Sequence, residues 1–352
     1  MTGFFKDRSQ PRLFARGGLK IGLLIVVPMI VVLGVVFFKF AFTEQPGGRG
    51  GASRIQMKAG INNSLKSAPL VIADKTGCFK RRGLAVTLVR ESSSSPLLER
   101  MLSGELDIVC VPEQLVAFLA MERSDFRIVG VVNRNQSQEL IINTARHVYS
   151  PFGLKGHRIG LDMNSAAPYF LYRKLLFYNL SLDDVELVDV RPDLMADQMA
   201  AGEIDAAIVW PPFSNRILRR LGQQALVTNA HIGRDMYWLM VARKDWCRDH
   251  VETLESFFAA LEEAFDYMAS SPQKAMSLAG RYFGFSPERV SQEWDTYHFD
   301  LELPQSLLFA MEQEARWWQR RMHVIGSTPD FFNLIDSQPL KNMFPDKVSI
   351  IQ

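Results

Sequence analysis

Apolar runs of strand length alternate with Pro-initiated helical segments through much of the sequence. Runs that predict strands are rich in apolar and β-branched residues, whereas a Pro near the first turn predicts the start of a helix. Strands are predicted at residues 55–61, 84–89 and 106–111, and again at 157–161, 185–190 and 204–209. Helices are predicted from Pro69, from Pro96, and at 168–179, 192–201 and 212–221. This alternation predicts two α/β lobes with parallel sheets.

After about Arg243 the pattern changes to helices. One predicted helix carries apolar residues at steps of three and four, which places them on one core-facing stripe: Leu254, Phe258, Leu261, Phe265 and Met268. Further helices are predicted at 272–283, 287–298 and 304–323, the last with a solvated face at Arg316, Arg320 and Arg321. Residues 236–243 read as a strand that returns the chain to the first lobe, which would make that lobe discontinuous.

Two strings recur in the same order in both halves. Gly60–Pro69 resembles Gly160–Pro168, and Ser103–Ile108 resembles Ala201–Ala206. Each copy of the first string is a polar turn between a strand and a helix, so backbone N–H groups at the helix start point into the turn. The recurrence predicts duplicated lobes whose amide-rich turns face each other across a ligand cleft. Chance resemblance between two ordinary strand–helix units is the alternative.

The N-terminal region predicts a membrane anchor. Residues 21–38 contain no charge, which is long enough to cross a bilayer, and basic residues precede the run. We therefore expect a cytoplasmic basic segment at 1–20, a single transmembrane helix at 21–42 and a Gly-rich tether at 43–53. The soluble part would then lie in the periplasm or outside the cell. A cleaved signal peptide is the competing interpretation.

The amino-acid composition limits which binding partners and which kinds of catalytic or metal site can be expected. A net charge of +2 is too small for a nucleic-acid-binding face, so nucleic acid is not expected as a partner. The three cysteines lack CxxC spacing and are interpreted as buried apolar residues, with a Cys78–Cys110 disulfide left open. The six histidines show no metal-ligand spacing, and no nucleophile elbow is present. No metal, cofactor or catalytic residue is expected.

Several motifs, taken in order, resemble a known family. They are the turn "G-C-F-K-R-R-G-L" at 77–84, "S-G-E-L-D" at 103–107, "L-K-G-H-R-I-G" at 154–160, and "G-E-I-D-A" followed by "W-P-P" at 202–212. Their order is similar to that in the nitrate, sulfonate and taurine type substrate-binding proteins of ABC importers, a family that also includes thiamine-precursor binders. The resemblance implies a two-lobed periplasmic-binding-protein-like fold with a hinge and a helical C-terminal region. The predicted anchor departs from the family pattern.

We expect lobe 1 to comprise residues 54–145, lobe 2 residues 146–238, and residues 239–352 to return to lobe 1. The resemblance implies that the chain captures a small polar or anionic solute and delivers it to an ABC permease in the membrane, without chemistry of its own. A ligand sensor that signals to a membrane partner is one alternative. Binding or synthesis of a thiamine-pyrimidine precursor is another.

Ligands of open α/β sheets bind beyond the carboxyl ends of the strands, so the turns there supply the candidate ligand-binding residues. These are Asn62, Asn63, Ser64, Glu113, Gln136, Asn164, Ser165 and Trp210. The asparagines and serines could bind an anion or simply cap helices. Trp210 could stack on a ligand or pack beside Pro211. Glu113 would suit an amine and repel an anion, unless it points outward at a helix start, so the charge of the solute stays open.

Overall fold

A computed structural model describes residues 54–351 of the chain. The basic segment, anchor and tether predicted for residues 1–53 lie outside the described residues. Among residues 54–351, no helix has both the length and the apolar character of a membrane span.

Eleven strands of the described chain form two sheets. They are β1 (Ile55–Asn62), β2 (Leu84–Glu91), β3 (Ile108–Pro112), β4 (Phe126–Asn135), β5 (Glu139–Asn143), β6 (Arg158–Leu161), β7 (Glu186–Asp189), β8 (Ala206–Val209), β9 (Ala225–Asn229), β10 (Met236–Arg243) and β11 (Tyr297–Glu302). The strand order is β11-β4-β10-β3-β1-β2 in the first sheet and β7-β6-β8-β5-β9 in the second. The two orders match from β2 to β4 and from β7 to β9, as expected of duplicated lobes.

Both sheets are mixed, so the prediction of parallel sheets was wrong. β1 pairs in parallel with β2 and β3, and β6 does so with β7 and β8. However, β10 is antiparallel to β3 and β4, and β5 is antiparallel to β8 and β9. The reason is that β5 and β10 each enter a sheet directly from the other lobe, with no helical crossover to reverse the chain first.

Two short segments connect the lobes. We name residues 136–138, between β4 and β5, the first crossover, and residues 230–235, between β9 and β10, the second crossover. The predicted boundaries at 145/146 and 238/239 differ from these positions. β5 already pairs within the second sheet and the whole of β10 pairs within the first, so the chain changes sheets a few residues earlier in each case.

The recurring acidic strings make the same contact in both lobes. The Asp107 carboxylate accepts a hydrogen bond from the backbone N–H of Lys58 on β1 (2.7 Å). The Asp205 carboxylate likewise accepts from the backbone N–H of Arg158 on β6 (3.0 Å). Each aspartate therefore ties the start of its third strand to the backbone of its first strand.

The glycines of the other recurring string are needed for close packing. A Cβ on Gly60 would lie 2.8 Å from Cδ1 of Leu106, and a Cβ on Gly160 would lie 2.5 Å from Cδ1 of Ile204. Any larger residue would push the first strand away from the residue that follows the Gly-Glu pair. The repeat thus reflects two equivalent contacts in space.

Fourteen α-helices of the described residues cover the sheets. They are α1 (Ala68–Lys75), α2 (Cys78–Arg81), α3 (Ser95–Leu102), α4 (Glu113–Glu122), α5 (Ala167–Phe177), α6 (Met195–Ala201), α7 (Phe213–Leu221), α8 (Lys244–Asp249), α9 (Val251–Ser270), α10 (Pro272–Phe283), α11 (Pro287–Trp294), α12 (Gln305–Arg321), α13 (Phe331–Leu334) and α14 (Gln338–Met343). The predicted stripe on α9 is buried, and this helix packs on α1 and α14. The three cysteines are buried and free.

The sequence pattern missed some elements. The helix predicted at 287–298 ends at Trp294, because Tyr297 already pairs with β4 as the start of β11. Strands β4, β5 and β9 and helix α4 were not predicted either. β4 and β5 are buried on both faces, so their apolar runs show no period of two.

Candidate functional site

The turn after β1 is held by its own polar side chains. Ser64 Oγ accepts a hydrogen bond from the backbone N–H of Lys66 (3.3 Å) and so caps a short 3-10 helix, Leu65–Ser67. Ser67 Oγ donates to the side-chain oxygen of Asn62 (3.1 Å). Asn63 is exposed. Of the three residues predicted here, Asn62 and Ser64 therefore shape the turn, and Asn63 is left facing solvent.

The turn buries one positive charge. The side chain of Lys66 belongs to a residue only 7% exposed, and its ammonium nitrogen lies 4.9 Å from the ring centroid of Trp238. No residue of the described chain forms a hydrogen bond or ion pair with that ammonium group. Burial lowers the pKa of Lys66 to about 8, opposed by the charge of Glu293. At neutral pH this lysine is a largely buried cation without a counter-ion among the described residues.

A series of buried amides links this turn to the first crossover. Asn133 on β4 donates to the backbone carbonyl of Lys66 (2.8 Å). Asn135 donates in turn to the side-chain oxygen of Asn133 (3.2 Å), and its own oxygen accepts from Ser137 Oγ (2.8 Å). These bonds fix the position of the lysine relative to the segment that leads into the second lobe.

The two crossovers are bonded to each other. The backbone N–H of Gln138 donates to Nε2 of His231 (2.9 Å), so Nδ1 carries the proton and donates to the carbonyl of Arg234 (2.8 Å). Burial lowers the pKa of His231 to about 3, which keeps the ring neutral. The predicted ligand residue Gln136 is exposed and donates to the carboxylate of Asp235 (2.8 Å). Its contacts therefore lie between the crossovers.

Glu113 does not present a carboxylate to an open cleft. It is buried at the start of α4, where one oxygen lies 2.7 Å from the guanidinium of Arg234 and the other accepts from the backbone N–H of Tyr237 (3.3 Å). The same guanidinium binds Glu314 of α12 (3.1 Å). Burial raises the pKa of Glu113 to about 8, with Arg234 opposing the rise. Because one guanidinium faces two buried carboxyl groups, we infer that one of them holds a proton near neutral pH.

The equivalent turn of the second lobe, which follows β6, has no buried lysine in the position of Lys66. Ser165 Oγ donates to the carbonyl of Asp162 (2.8 Å) and accepts from the backbone N–H of Ala167 (3.1 Å), which caps the start of α5. The backbone N–H of Asn164 donates to the Asp162 carboxylate (2.9 Å), and its side chain is exposed. Both predicted residues serve the local turn.

The start of α7 meets the first lobe. Trp210 is half-buried, lies edge-on to Phe213 with 6.0 Å between ring centroids, and accepts backbone N–H groups of α7 through its carbonyl. Ser214 is fully buried, and its hydroxyl has no hydrogen-bond partner among the described residues. Asn215 donates to the side-chain oxygen of Gln292 on α11 (2.7 Å). This bond joins the lobes across the cleft, so the described arrangement is closed.

Helix α11 contacts both walls of the cleft. Its Gln292 binds α7 of the second lobe, and its neighbour Glu293 is the acid that acts on the pKa of Lys66. Glu293 accepts hydrogen bonds from the Arg289 guanidinium (2.7 Å) and from the Tyr297 hydroxyl (3.1 Å). This carboxylate therefore forms its ion pair with Arg289 and acts on Lys66 only from a distance.

Three buried residues of this region, Lys66, Trp238 and Arg234, were not predicted from the sequence. A signal for the first was available, because Lys66 is the single charged residue between Ala59 and Ala73. The other two lie on or beside β10, and their partners are distant in sequence.

A family model for the NMT1-like family matches residues 50–281. The chain belongs to the NMT1-like family. The family resemblance predicted from sequence is confirmed, and so is the two-lobed α/β fold. Among curated relatives, the taurine-binding periplasmic protein of Escherichia coli is 22% identical over 226 residues, covering 62% of this chain and 68% of the relative.

Solved structures share the fold of this NMT1-like chain. The periplasmic aliphatic sulphonate binding protein SsuA of Escherichia coli superposes with a TM-score of 0.70 at 15% identity, covering 80% of this chain and 92% of SsuA. The desulfurization enzyme DSZB superposes with a TM-score of 0.60 at 14% identity, covering 83% and 99%. The fold therefore occurs in both binding proteins and an enzyme.

Proposed function

We propose that this protein is a membrane-tethered solute-binding protein that captures a small anion between its lobes for an ABC importer. The observation that carries the proposal is Lys66, a residue only 7% exposed whose ammonium group lies 4.9 Å from the ring centroid of Trp238 and forms no ion pair within the described chain. A desolvated cation is costly unless an anion joins it. The Glu113 carboxyl group, which had left the charge of the solute undecided, forms an ion pair with Arg234 inside the protein.

The relatives agree with an anionic solute. Taurine and aliphatic sulphonates, after which two similar proteins are named, each carry a sulfonate group. A sulfonate that lies between the lobes could accept hydrogen bonds from Lys66 and from the Ser214 hydroxyl, which has no partner among the described residues. The Trp238 ring would then face the remainder of the solute. In this proposal the protein binds and releases its solute unchanged.

The test is calorimetric titration of the full chain in detergent micelles with taurine, ethanesulfonate, nitrate and, as a cationic comparison, choline. We expect at least one anion to bind and choline not to bind. Lys66→Met should weaken anion binding about 100-fold or more, because a buried charge pair is lost. Lys80→Met, which removes an exposed lysine on α2, should leave the affinity unchanged. Equal anion affinity in Lys66→Met would contradict the proposal.

The predicted anchor is part of this proposal and has its own test. Cell fractions washed with alkaline carbonate should retain the chain in the membrane pellet, and protease added to spheroplasts should remove the part after residue 43. A chain found free in the periplasm and shortened at its N-terminus would instead indicate a cleaved signal peptide.

Delivery to an importer can be separated from sensing. Cells that lack the protein should lose uptake of the radiolabelled anion identified by titration. If uptake continues while the transcriptional response to that anion is lost, the sensor alternative would replace import.

A further inference from the structure

A groove of roughly 430 Å³ lies beside the second crossover, between α5 and α12. Its floor includes Ile232, which adopts a left-handed backbone conformation (φ 48°) that a β-branched residue rarely takes. Arg173 of α5 donates to the carbonyls of His231 and Ile232, both at 3.3 Å, and so attaches this helix to the crossover. The groove is distinct from the cleft that contains Lys66.

The groove is strongly positive. Arg173, Arg316 and Arg320 line it, and its described lining includes no Asp or Glu. Arg316 pairs with Glu312 one turn earlier (2.9 Å), whereas the guanidinium of Arg320 has no hydrogen bond or ion pair with a described residue. Three guanidinium groups that line one groove, with no carboxylate in its described lining, favour an anionic occupant, which would relieve their repulsion.

The same groove has flat aromatic walls. Trp317 is 5% exposed, and its ring centroid lies 5.6 Å from that of Tyr172 and 5.4 Å from that of Tyr169. Aromatic rings and guanidinium planes stack on flat ligands, so this lining selects for a ring as well as for charge.

The two walls come from different lobes. Helix α5 belongs to the second lobe, whereas α12 packs on α4 of the first, where Trp318 lies 4.7 Å from the ring of Phe118. A molecule held by Arg173 on one side and by Arg316 and Arg320 on the other would bridge the lobes. Its site would change width whenever the hinge moves.

We propose that this groove is a second ligand site that binds a small anion carrying a flat ring, of the aromatic carboxylate class. The site lies outside the cleft and does not depend on the identity of the transported solute. Arg316 and Arg320, whose charge the sequence suggested was merely solvated, form its anion-binding wall.

Phthalate, an aromatic dicarboxylate, is the test probe, and succinate supplies the same charge without a ring. Calorimetric titration of the full chain in detergent micelles should show phthalate binding at least 10-fold more tightly than succinate. The double variant Arg316→Gln/Arg320→Gln should weaken phthalate binding at least 10-fold. Arg219→Gln/Arg220→Gln, which removes two exposed charges from α7, should not change it, and neither should Lys66→Met.

Other outcomes would overturn the proposal. If Arg219→Gln/Arg220→Gln weakened phthalate binding as much as Arg316→Gln/Arg320→Gln, phthalate affinity would depend only on the net charge of the protein. Loss confined to Lys66→Met would place phthalate in the cleft, and equal affinity for succinate would remove the role of the aromatic wall. Absence of phthalate binding at millimolar concentration would also refute the site. If vesicles of phosphatidylglycerol then bound the wild-type chain and not the Arg316/Arg320 variant, the arginines would form a membrane contact instead.

Discussion

Two buried cations in this molecule have opposite surroundings. Arg234 contacts two carboxyl groups and a backbone carbonyl, and its guanidinium carbon lies 5.0 Å from the ring centroid of Tyr169. Lys66 is equally buried, but within residues 54–351 its ammonium group faces the Trp238 ring and forms no ion pair. A buried charge whose partners are built into the chain serves the fold. A buried charge without them is costly to the fold, and such a cost is typical of a site that awaits a ligand.

The largest expected change in stability comes from replacing Arg234, the buried cation with carboxyl partners. Arg234→Met should lower the free energy of unfolding by about 3–5 kcal/mol, because it leaves Glu113 and Glu314 buried without a positive charge. Chemical denaturation of the variant measures this loss. The triple variant Arg234→Met/Glu113→Gln/Glu314→Gln should recover most of it.

A matched control is Arg248→Met, which breaks an exposed pair with Asp249 and should cost less than about 1 kcal/mol. If Arg234→Met were no more costly than this control, the cluster would not stabilise the junction between the lobes.

The unpaired cation should behave in the opposite way. In ligand-free protein at pH 7, Lys66→Met should raise the free energy of unfolding by about 1–3 kcal/mol, because the chain no longer buries a charge. Denaturation with and without the bound anion measures both effects. A loss of stability in the ligand-free variant would show that Lys66 has a structural partner after all.

The titration of Lys66 should couple solute affinity to pH. Its folded pKa of about 8 lies below the ordinary value of 10.5, so between these values the ligand-free folded chain binds fewer protons than the unfolded chain. Its stability should therefore rise with pH across that window, by at most about 1.4 kcal/mol per pH unit. Anion affinity should fall as pH rises above about 8, because the neutral amine attracts no anion. Affinity that is flat from pH 7 to 10 would contradict this role.

His231 should give a separate pH response in the acid range. Its pKa is lowered from 6.5 to about 3, so the unfolded chain binds more protons between these values. Stability should therefore be lost as pH falls through this window, by at most about 1.4 kcal/mol per pH unit. His231→Gln should reduce the slope of unfolding free energy against pH below pH 6. An unchanged slope would show that the ring is not buried in its neutral form.

The smallest effect is expected at the cleft rim. Asn215→Ala removes the hydrogen bond to Gln292 that joins the closed lobes and should weaken solute binding by about 0.5–1.5 kcal/mol. Gln292→Ala should do the same, and the double variant should add little to either. Additive losses would show that the two side chains act independently of each other.

The features that were predicted correctly depend on residues that are close together in the sequence. The Gly and Asp positions of the repeated strings could be paired in advance, because each strand–helix–strand unit places them at the same contact. The antiparallel pairing of β5 and β10 could not be predicted, because no residue pattern near Glu139 or Met236 shows which sheet each strand will join.

The candidate site was less predictable than the fold. The eight residues named from sequence lie in or beside the turns that follow the strands and in the first crossover, and several of them stabilise those turns by local hydrogen bonds. Arg234 has two carboxyl partners that are distant in sequence, whereas Lys66 has none among the described residues. That difference arises only in three dimensions, and the ligand-binding role of the named residues stays a prediction.

The strand order has a consequence for how this chain must fold. β10 lies between β3 and β4, and β5 lies between β8 and β9, so each sheet is completed in its middle by a segment that follows the opposite half. Neither half is a self-sufficient folding unit. Separately expressed fragments should remain incomplete until mixed, and thermal melting of the described region should occur as a single cooperative event that includes both sheets.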